Sequence, residues 1–90
     1  MIIVYGRKDC KHCDELVAIL DETGLDYRYI DINETPSAKN VLIIRGLATV
    51  PQTFNQDIHI GGKTDTIAWI KRSMPAGITL SGGIRTGNGE

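Results

Sequence analysis

Long apolar segments are missing from this chain. The first apolar run, Met1 to Tyr5, ends at a glycine and is followed at once by charged residues. It is shorter than the roughly 7–15 apolar residues of a secretory signal and the roughly 20 of a membrane-spanning helix. We therefore expect no membrane partner and a protein that remains in the cytoplasm.

A strong excess of charge of either sign is also missing. The formal net charge is −1 and the pI is about 6.1. This balance provides no broad positive field to attract nucleic acid, so nucleic acid is not an expected partner. Hydrophobic residues make up 41% of the 90 residues, which excludes a disordered or fibrous chain. We expect one small globular domain that acts as a monomer.

Cysteine is scarce, because Cys10 and Cys13 are the only two in the sequence. A disulfide across so short a loop would restrain the unfolded chain little, so the pair makes a poor structural crosslink. Small secreted domains that depend on disulfides normally contain more cysteines. The C-x-x-C spacing instead indicates redox chemistry in a reducing compartment.

The rest of the chain alternates between strand and helix patterns. Apolar and β-branched runs predict strands at 2–5, 27–32, 52–54 and 58–60, and apolar residues at helical spacing predict helices at about 11–23, 36–45 and 65–74. The order βαβαββα predicts an α/β fold in which three helices cover a four-stranded mixed sheet. Residues 1–75 form the predicted domain, and the glycine-rich residues 76–90 are predicted to be a flexible tail.

The C-x-x-C lies where the first predicted strand meets the first helix. A cysteine at a helix N-terminus faces unpaired N–H groups and the positive end of the helix dipole, which both favour a thiolate. Lys8 and Lys11 add positive charge, and Asp9 opposes them. We expect the pKa of Cys10 to be lower than the ordinary thiol value of about 8.5, and Cys13 to be more buried. Cys10 is therefore the predicted nucleophile, and Cys13 the thiol that resolves the mixed disulfide.

Two alternatives to redox chemistry remain open for the cysteines. They are either inert, packed thiols or metal ligands, because Cys10, Cys13, His12 and a distant His59 are all side chains that bind zinc. His12 lies between the cysteines on a helical turn and should point elsewhere. No second C-x-x-C and no H-x-x-x-H completes a site, so no metal is expected.

Three motifs occur in a fixed order within roughly residues 2–74. They are Lys8-Asp9-Cys10-Lys11-His12-Cys13, Thr49-Val50-Pro51 and Gly61-Gly62-Lys63-Thr64-Asp65. In this combination the sequence resembles the glutaredoxin family of the thioredoxin fold. The resemblance implies a dithiol glutaredoxin, which uses glutathione to reduce protein disulfides and glutathione mixed disulfides. It also names ribonucleotide reductase as a candidate protein substrate.

The resemblance further implies which residues bind glutathione. They are Lys8, Thr49, Val50, Pro51, Gly62, Lys63 and Thr64. The backbone N–H and C=O of Val50 would face the cysteinyl part of the ligand, with a cis peptide bond before Pro51. Lys8 would lie near the glycyl carboxylate. The turn at 62–64 would receive the γ-glutamyl end, because helix N-termini bind carboxylates.

Two other functions are weighed against this one. Redoxins recharged by thioredoxin reductase tend to contain a Trp-Ser-Gly-Phe-Arg-Pro-type stretch where this chain has Ile60-Gly61-Gly62-Lys63-Thr64, so the difference favours glutathione. The second alternative is a non-catalytic metal or iron–sulfur carrier that binds through Cys10 as a dimer. Lys11 and His12 depart from the proline and aromatic residue that many family members have between the cysteines, which leaves the reduction potential open.

Overall fold

The computed structural model describes residues 1–73. Its strands are β1 (Ile2–Gly6), β2 (Tyr27–Asp31), β3 (Gln52–Asn55) and β4 (Ile58–Gly61), and its helices are α1 (Lys11–Thr23), α2 (Pro36–Ile44) and α3 (Lys63–Ser73). The predicted order is confirmed, although α3 begins at Lys63 and not at Asp65. None of these helices is long and apolar enough to cross a membrane. The predicted tail, residues 76–90, lies outside the described residues, as do Met74 and Pro75.

The four strands form one mixed sheet in the order β2-β1-β3-β4. β1 pairs in parallel with β2, while the β1–β3 and β3–β4 pairs are antiparallel. A parallel pair needs a crossover, which α1 provides between β1 and β2. The mixed α/β sheet predicted from the sequence is thus confirmed, and β1 holds a central position with the C-x-x-C directly beyond its carboxyl end.

The core lies between this sheet and two of the helices. Side chains alternate between the two faces of a strand, so Ile2 and Val4 of β1 point to the same side. They pack against Leu16 and Leu20 of α1 and Ile70 of α3. The last three are fully buried. α1 and α3 therefore share one face of the sheet, which brings the start of α3 close to the first turns of α1.

Glycine residues end the first two helices, and backbone contacts start the second. Gly24 and Gly46 adopt left-handed backbone conformations after α1 and α2, which glycine accepts without steric cost. Thr35 occupies the N-cap position of α2, where a hydroxyl commonly caps a helix, but its side chain makes no capping hydrogen bond. Pro36 follows it at the first helical position, and the carbonyl of Thr35 accepts the N–H of Ala38 at 3.0 Å. The backbone thus starts this helix without help from the hydroxyl.

The apolar side chains of β4 are less buried than their alternation along the strand suggests. Ile58 and Ile60 are two positions apart and therefore lie on the same face of the strand, yet Ile58 is 70% exposed and Ile60 only partly buried. β4 is the outer strand of the described sheet, and Ile58 opens it directly after the turn residues Gln56 and Asp57. A residue at the end of an edge strand has fewer neighbours to cover it than one in a central strand.

Candidate functional site

The loop after β1 delivers Cys10 to the start of α1. Asp9 in this loop has a φ of 59°, a left-handed conformation in which Asp is found more often than most residues. The hydroxyl of Tyr29 on β2 donates a hydrogen bond of 3.2 Å to the Arg7 carbonyl. A Cβ atom on Gly6 would lie 2.3 Å from the same hydroxyl oxygen, so glycine is the residue that leaves room for this contact. The loop is therefore held against the sheet by a neighbouring strand.

Cys10 is the N-cap residue of α1 and is joined to Cys13 by a disulfide. The Cα atoms of the two cysteines are 5.2 Å apart, within the normal range for disulfides. The Cys10 sulfur accepts a hydrogen bond of 3.2 Å from the backbone N–H of Cys13. This N–H and the helix dipole would stabilise a Cys10 thiolate once the disulfide is reduced.

The two cysteines differ in accessibility in the predicted direction. Cys13 is completely buried, and Cys10 is 6% exposed. The Cys10 sulfur lies 4.0 Å from the carbonyl oxygen of Val50, in the loop before β3. Cys10 is therefore the more accessible of the two cysteines, although it is also largely buried.

An open groove of about 450 Å³ runs between this loop and the start of α3. Its lining residues are His12, Thr49, Val50, Pro51, Gly62, Lys63, Thr64 and Asp65. All predicted glutathione-binding residues except Lys8 are among them. The peptide bond between Val50 and Pro51 is cis, as the resemblance implies. The volume suits a small-molecule ligand, and the Val50 carbonyl places one edge of the groove beside Cys10.

Lys8 is the predicted residue that the structure does not bring to the groove. Its side chain is 79% exposed and forms an ion pair of 3.3 Å with Glu34. It lines a separate cavity together with Asp14 and Tyr29. Lys8 therefore lies near the cysteines in sequence but borders a different depression of the surface.

A series of hydrogen bonds connects the loop that lines the groove to β3 and β4. The buried Gln52 donates its amide N–H to the Thr49 hydroxyl at 3.2 Å, and its carbonyl oxygen lies 2.7 Å from Nε2 of His59. The His59 ring also packs against Phe54, with ring centroids 5.0 Å apart. His59, one of the side chains weighed as a zinc ligand, is thus engaged with β3. Within residues 1–73, no three His, Cys, Asp or Glu side chains gather as a metal ion requires.

The start of α3 forms the opposite wall of the groove. The Gly62 carbonyl accepts both the backbone N–H of Thr66 at 2.9 Å and its hydroxyl at 2.6 Å, which fixes the first turn. Gly61 has a φ of 132°, and a Cβ atom there would lie 2.5 Å from Oδ2 of Asp65. Sequence reasoning missed Asp65 as a groove residue because it was assigned only as the first residue of the helix. Its acidic side chain, in the motif that contains three predicted contacts, was the signal.

Lys63 already has a partner within the protein. Its ammonium group donates a hydrogen bond to Oε1 of Glu15 on α1. Nδ1 of His12 lies 3.4 Å from the same oxygen. The hydrogen bond from Lys63 lowers the pKa of the Glu15 carboxyl below its usual value, so this group is a carboxylate at neutral pH. Glu15 is a second residue at this site that sequence reasoning missed.

Comparisons with known proteins identify a family and solved structures with a similar fold. The family profile described as Glutaredoxin matches residues 2–60. Glutaredoxin 1 of Salmonella typhimurium is 36% identical over 80 residues, which cover 80% of this chain and 92% of that protein. The structure of Escherichia coli NrdH-redoxin, described as a glutaredoxin-like protein with a thioredoxin-like activity profile, superposes with a TM-score of 0.70 at 27% identity, covering 83% of this chain and 96% of the other.

A complex of buckwheat glutaredoxin with glutathione superposes with a TM-score of 0.67 at 23% identity, covering 79% of this chain and 68% of the other, and supports the fold alone. The family profile spans more than half of this chain, and the Salmonella relative is similar over nearly its full length. The matched region contains the Cys10–Cys13 pair at the head of α1. The chain therefore belongs to the glutaredoxin family of thiol–disulfide oxidoreductases, with Cys10 and Cys13 as its redox-active pair.

Proposed function

We propose that this protein is a glutathione-dependent dithiol glutaredoxin, with Cys10 as the nucleophile and Cys13 as the resolving thiol. One observation carries the proposal. The more accessible cysteine of the disulfide lies beside a groove lined by the residues at which the family resemblance expects glutathione. A dithiol next to a preformed ligand groove suits a two-substrate exchange reaction better than a purely structural crosslink.

The groove offers partners for each part of glutathione. The first N–H groups of α3 have no partner within the helix and favour the γ-glutamyl carboxylate, and the Asp65 carboxylate complements the adjacent ammonium group. The backbone of Val50 suits the cysteinyl peptide, as the edge of a sheet would. A contact between Lys8 and the glycyl carboxylate requires Lys8 to leave Glu34.

The reaction consists of thiolate–disulfide exchanges. The Cys10 thiolate attacks one sulfur of a protein disulfide, and the other sulfur leaves as a thiolate. Cys13 then attacks the Cys10 sulfur, which releases the substrate as a dithiol and leaves the Cys10–Cys13 disulfide. Two glutathione molecules reduce that disulfide and leave as glutathione disulfide. Two electrons thus pass from two glutathiones to one substrate disulfide.

The choice of reductant is tested by supplying the oxidised protein with either of two recycling systems. We expect turnover of a glutathione mixed disulfide with glutathione, glutathione reductase and NADPH. The similarity to NrdH-redoxin, with its thioredoxin-like activity profile, supports the alternative of recharging by thioredoxin reductase. Turnover with thioredoxin reductase but not with glutathione would replace the proposed function by that alternative. A visible absorption band in freshly purified protein, with no turnover in either system, would instead favour the metal carrier.

The roles of the two cysteines are tested by single substitutions. Cys10→Ser should abolish reduction of every substrate. Cys13→Ser should block reduction of protein disulfides but retain removal of glutathione from mixed disulfides, because a second glutathione can resolve that intermediate. Alkylation by iodoacetamide against pH should show the lower thiol pKa at Cys10. If Cys10→Ser keeps the deglutathionylation activity, the two roles are reversed.

We propose that the protein works in a reducing cytoplasm, because the reductants of such a compartment return the C-x-x-C disulfide to two thiols after each reaction. Besides glutathione, the proposed partners are proteins with reducible disulfides, with ribonucleotide reductase as the first to test. We propose that the protein acts on them as a monomer.

A further inference from the structure

Glu15 lies between two residues that line the groove. Its Oε1 accepts a hydrogen bond from the Lys63 ammonium group and lies 3.4 Å from Nδ1 of His12. The side chains of Glu15 and Lys63 are 39% and 29% exposed, so water reaches the pair only in part. The carboxylate thus offsets the positive charge of Lys63 at the point where that charge faces the groove.

The charge balance of the groove follows from this pairing. Lys63 and Asp65 are the lining residues with a full charge at neutral pH when His12 is uncharged. Because the Glu15 carboxylate offsets the positive charge of Lys63, the negative charge of Asp65 sets the net charge of the groove. Glutathione itself has two carboxylates and one ammonium group, and therefore a net negative charge. The groove and this ligand carry charges of the same sign.

We propose that Glu15 is a specificity-determining residue that makes the groove disfavour anionic thiols and disulfides relative to neutral or cationic ones. This inference rests on the proposed function, because it assigns a role at the edge of the same ligand groove. It also defines the preferred substrates by their chemistry. Among protein substrates, they are disulfides flanked by basic or uncharged groups and not by acidic ones.

A purely structural role for Glu15 predicts a different outcome. The Glu15–Lys63 pair links α1 to α3, and loss of that link would affect all substrates alike. If Glu15 selects by charge, its loss should instead change the rate constants for anionic and cationic reagents in opposite directions. The ratio of two rate constants therefore separates the roles, and any general change in Cys10 reactivity cancels from that ratio.

The test uses the reduced full-length protein and two small disulfides, anionic glutathione disulfide and cationic cystamine. In each case Cys10 attacks one sulfur, Cys13 displaces the bound half, and the products are the protein disulfide and two small thiols. The rate constant is obtained from the loss of protein thiols with time. Glu15→Gln should raise the rate constant with glutathione disulfide about two- to fivefold and lower it with cystamine by a similar factor, as expected for a partly exposed charge. The matched control is Glu22→Gln, an exposed glutamate on the same helix, which should leave the ratio unchanged.

Lys63 provides the second variant. Lys63→Gln alone should lower the rate constant with glutathione disulfide relative to that with cystamine. In the double variant with Glu15→Gln, it should cancel the gain with glutathione disulfide. The shifts should shrink in high salt, which screens charges. An unchanged ratio in Glu15→Gln, or equal changes with both reagents, would overturn the inference. Neither reagent requires catalytic turnover with glutathione, so failure of the recycling assay would refute the proposed function while this ratio still decides the role of Glu15.

Discussion

Substitution of Gln52 by leucine should loosen the Thr49–Val50–Pro51 loop while leaving the cysteines untouched. Gln52 is 6% exposed and donates to Thr49 at 3.2 Å. Because its amide nitrogen is used in this way, its oxygen faces His59, and the His59 Nε2 at 2.7 Å must be the donor. Leucine fills a similar volume but makes neither bond.

The cost of this substitution can be worked out from the two lost bonds. A hydrogen bond contributes about 0.5–1.5 kcal/mol net to stability. Thr49 and His59 are both exposed, so each can bond to water after the substitution and no buried polar group is left unpaired. We therefore expect the free energy of unfolding to fall by about 1–3 kcal/mol for the two bonds. For a domain of this size each 1 kcal/mol lowers the melting temperature by roughly 4–8 °C.

Urea unfolding and steady-state kinetics measure the two consequences. The urea midpoint should fall without a change in slope. The KM for glutathione should rise more than kcat falls, because the groove wall moves and Cys10 does not. His59→Ala leaves the carbonyl oxygen of the buried Gln52 without this partner and removes the ring that packs against Phe54. It should therefore cost at least as much stability as Gln52→Leu. A Gln52→Leu protein with the parent midpoint and the parent KM would refute the view that this chain of bonds supports the groove.

Three further predictions concern stability and ionisation. Leu16→Ala should lower the free energy of unfolding by about 2–5 kcal/mol in urea, since Leu16 is fully buried, and a smaller loss would indicate that the core collapses around the gap. The hydrogen bond to Asp21 raises the pKa of Tyr27 to about 12, so its contribution to stability should be complete below about pH 10 and lost as the pH rises to 12. Asp21→Asn should lower that pKa in an alkaline absorbance titration, and an unchanged titration would contradict this cause. Truncation after Pro75 should leave the melting temperature and turnover unchanged, because the glycine-rich composition of residues 76–90 predicts that they bury little surface, and a lower melting temperature would show that the removed residues contribute to the fold.

Local patterns were sufficient to predict the scaffold. The apolar spacing of α1 and the glycine after it gave the correct bounds, and the position of Cys10 before that helix followed from them. Both features depend on neighbouring residues alone. The helix N-terminus was also enough to identify the more accessible thiol.

These local patterns could not predict contacts between segments that are far apart in sequence. Lys63 and Glu15 are 48 residues apart, and they meet only because α1 and α3 pack on the same face of the sheet. Gln52 opens a strand, where its polar side chain gave no sign of burial. The exposed Ile58 shows the converse, because strand periodicity reveals which residues share a face but not whether anything covers it.

The pairing of β1 with β3 has a consequence for the order in which activity arises during synthesis. Cys10 and Val50 are 40 residues apart, and β3 begins just after the Val50–Pro51 pair. A growing chain that ends before Thr49 already contains both thiols and the β1–α1–β2 unit, but of the residues that line the ligand groove it contains only His12. Its cysteines would meet oxidants without the loop that lies beside Cys10 in the finished fold. The loop beside the nucleophile is therefore acquired when β3 docks beside β1, whereas selection of substrates also requires the start of α3, which forms the opposite wall of the groove.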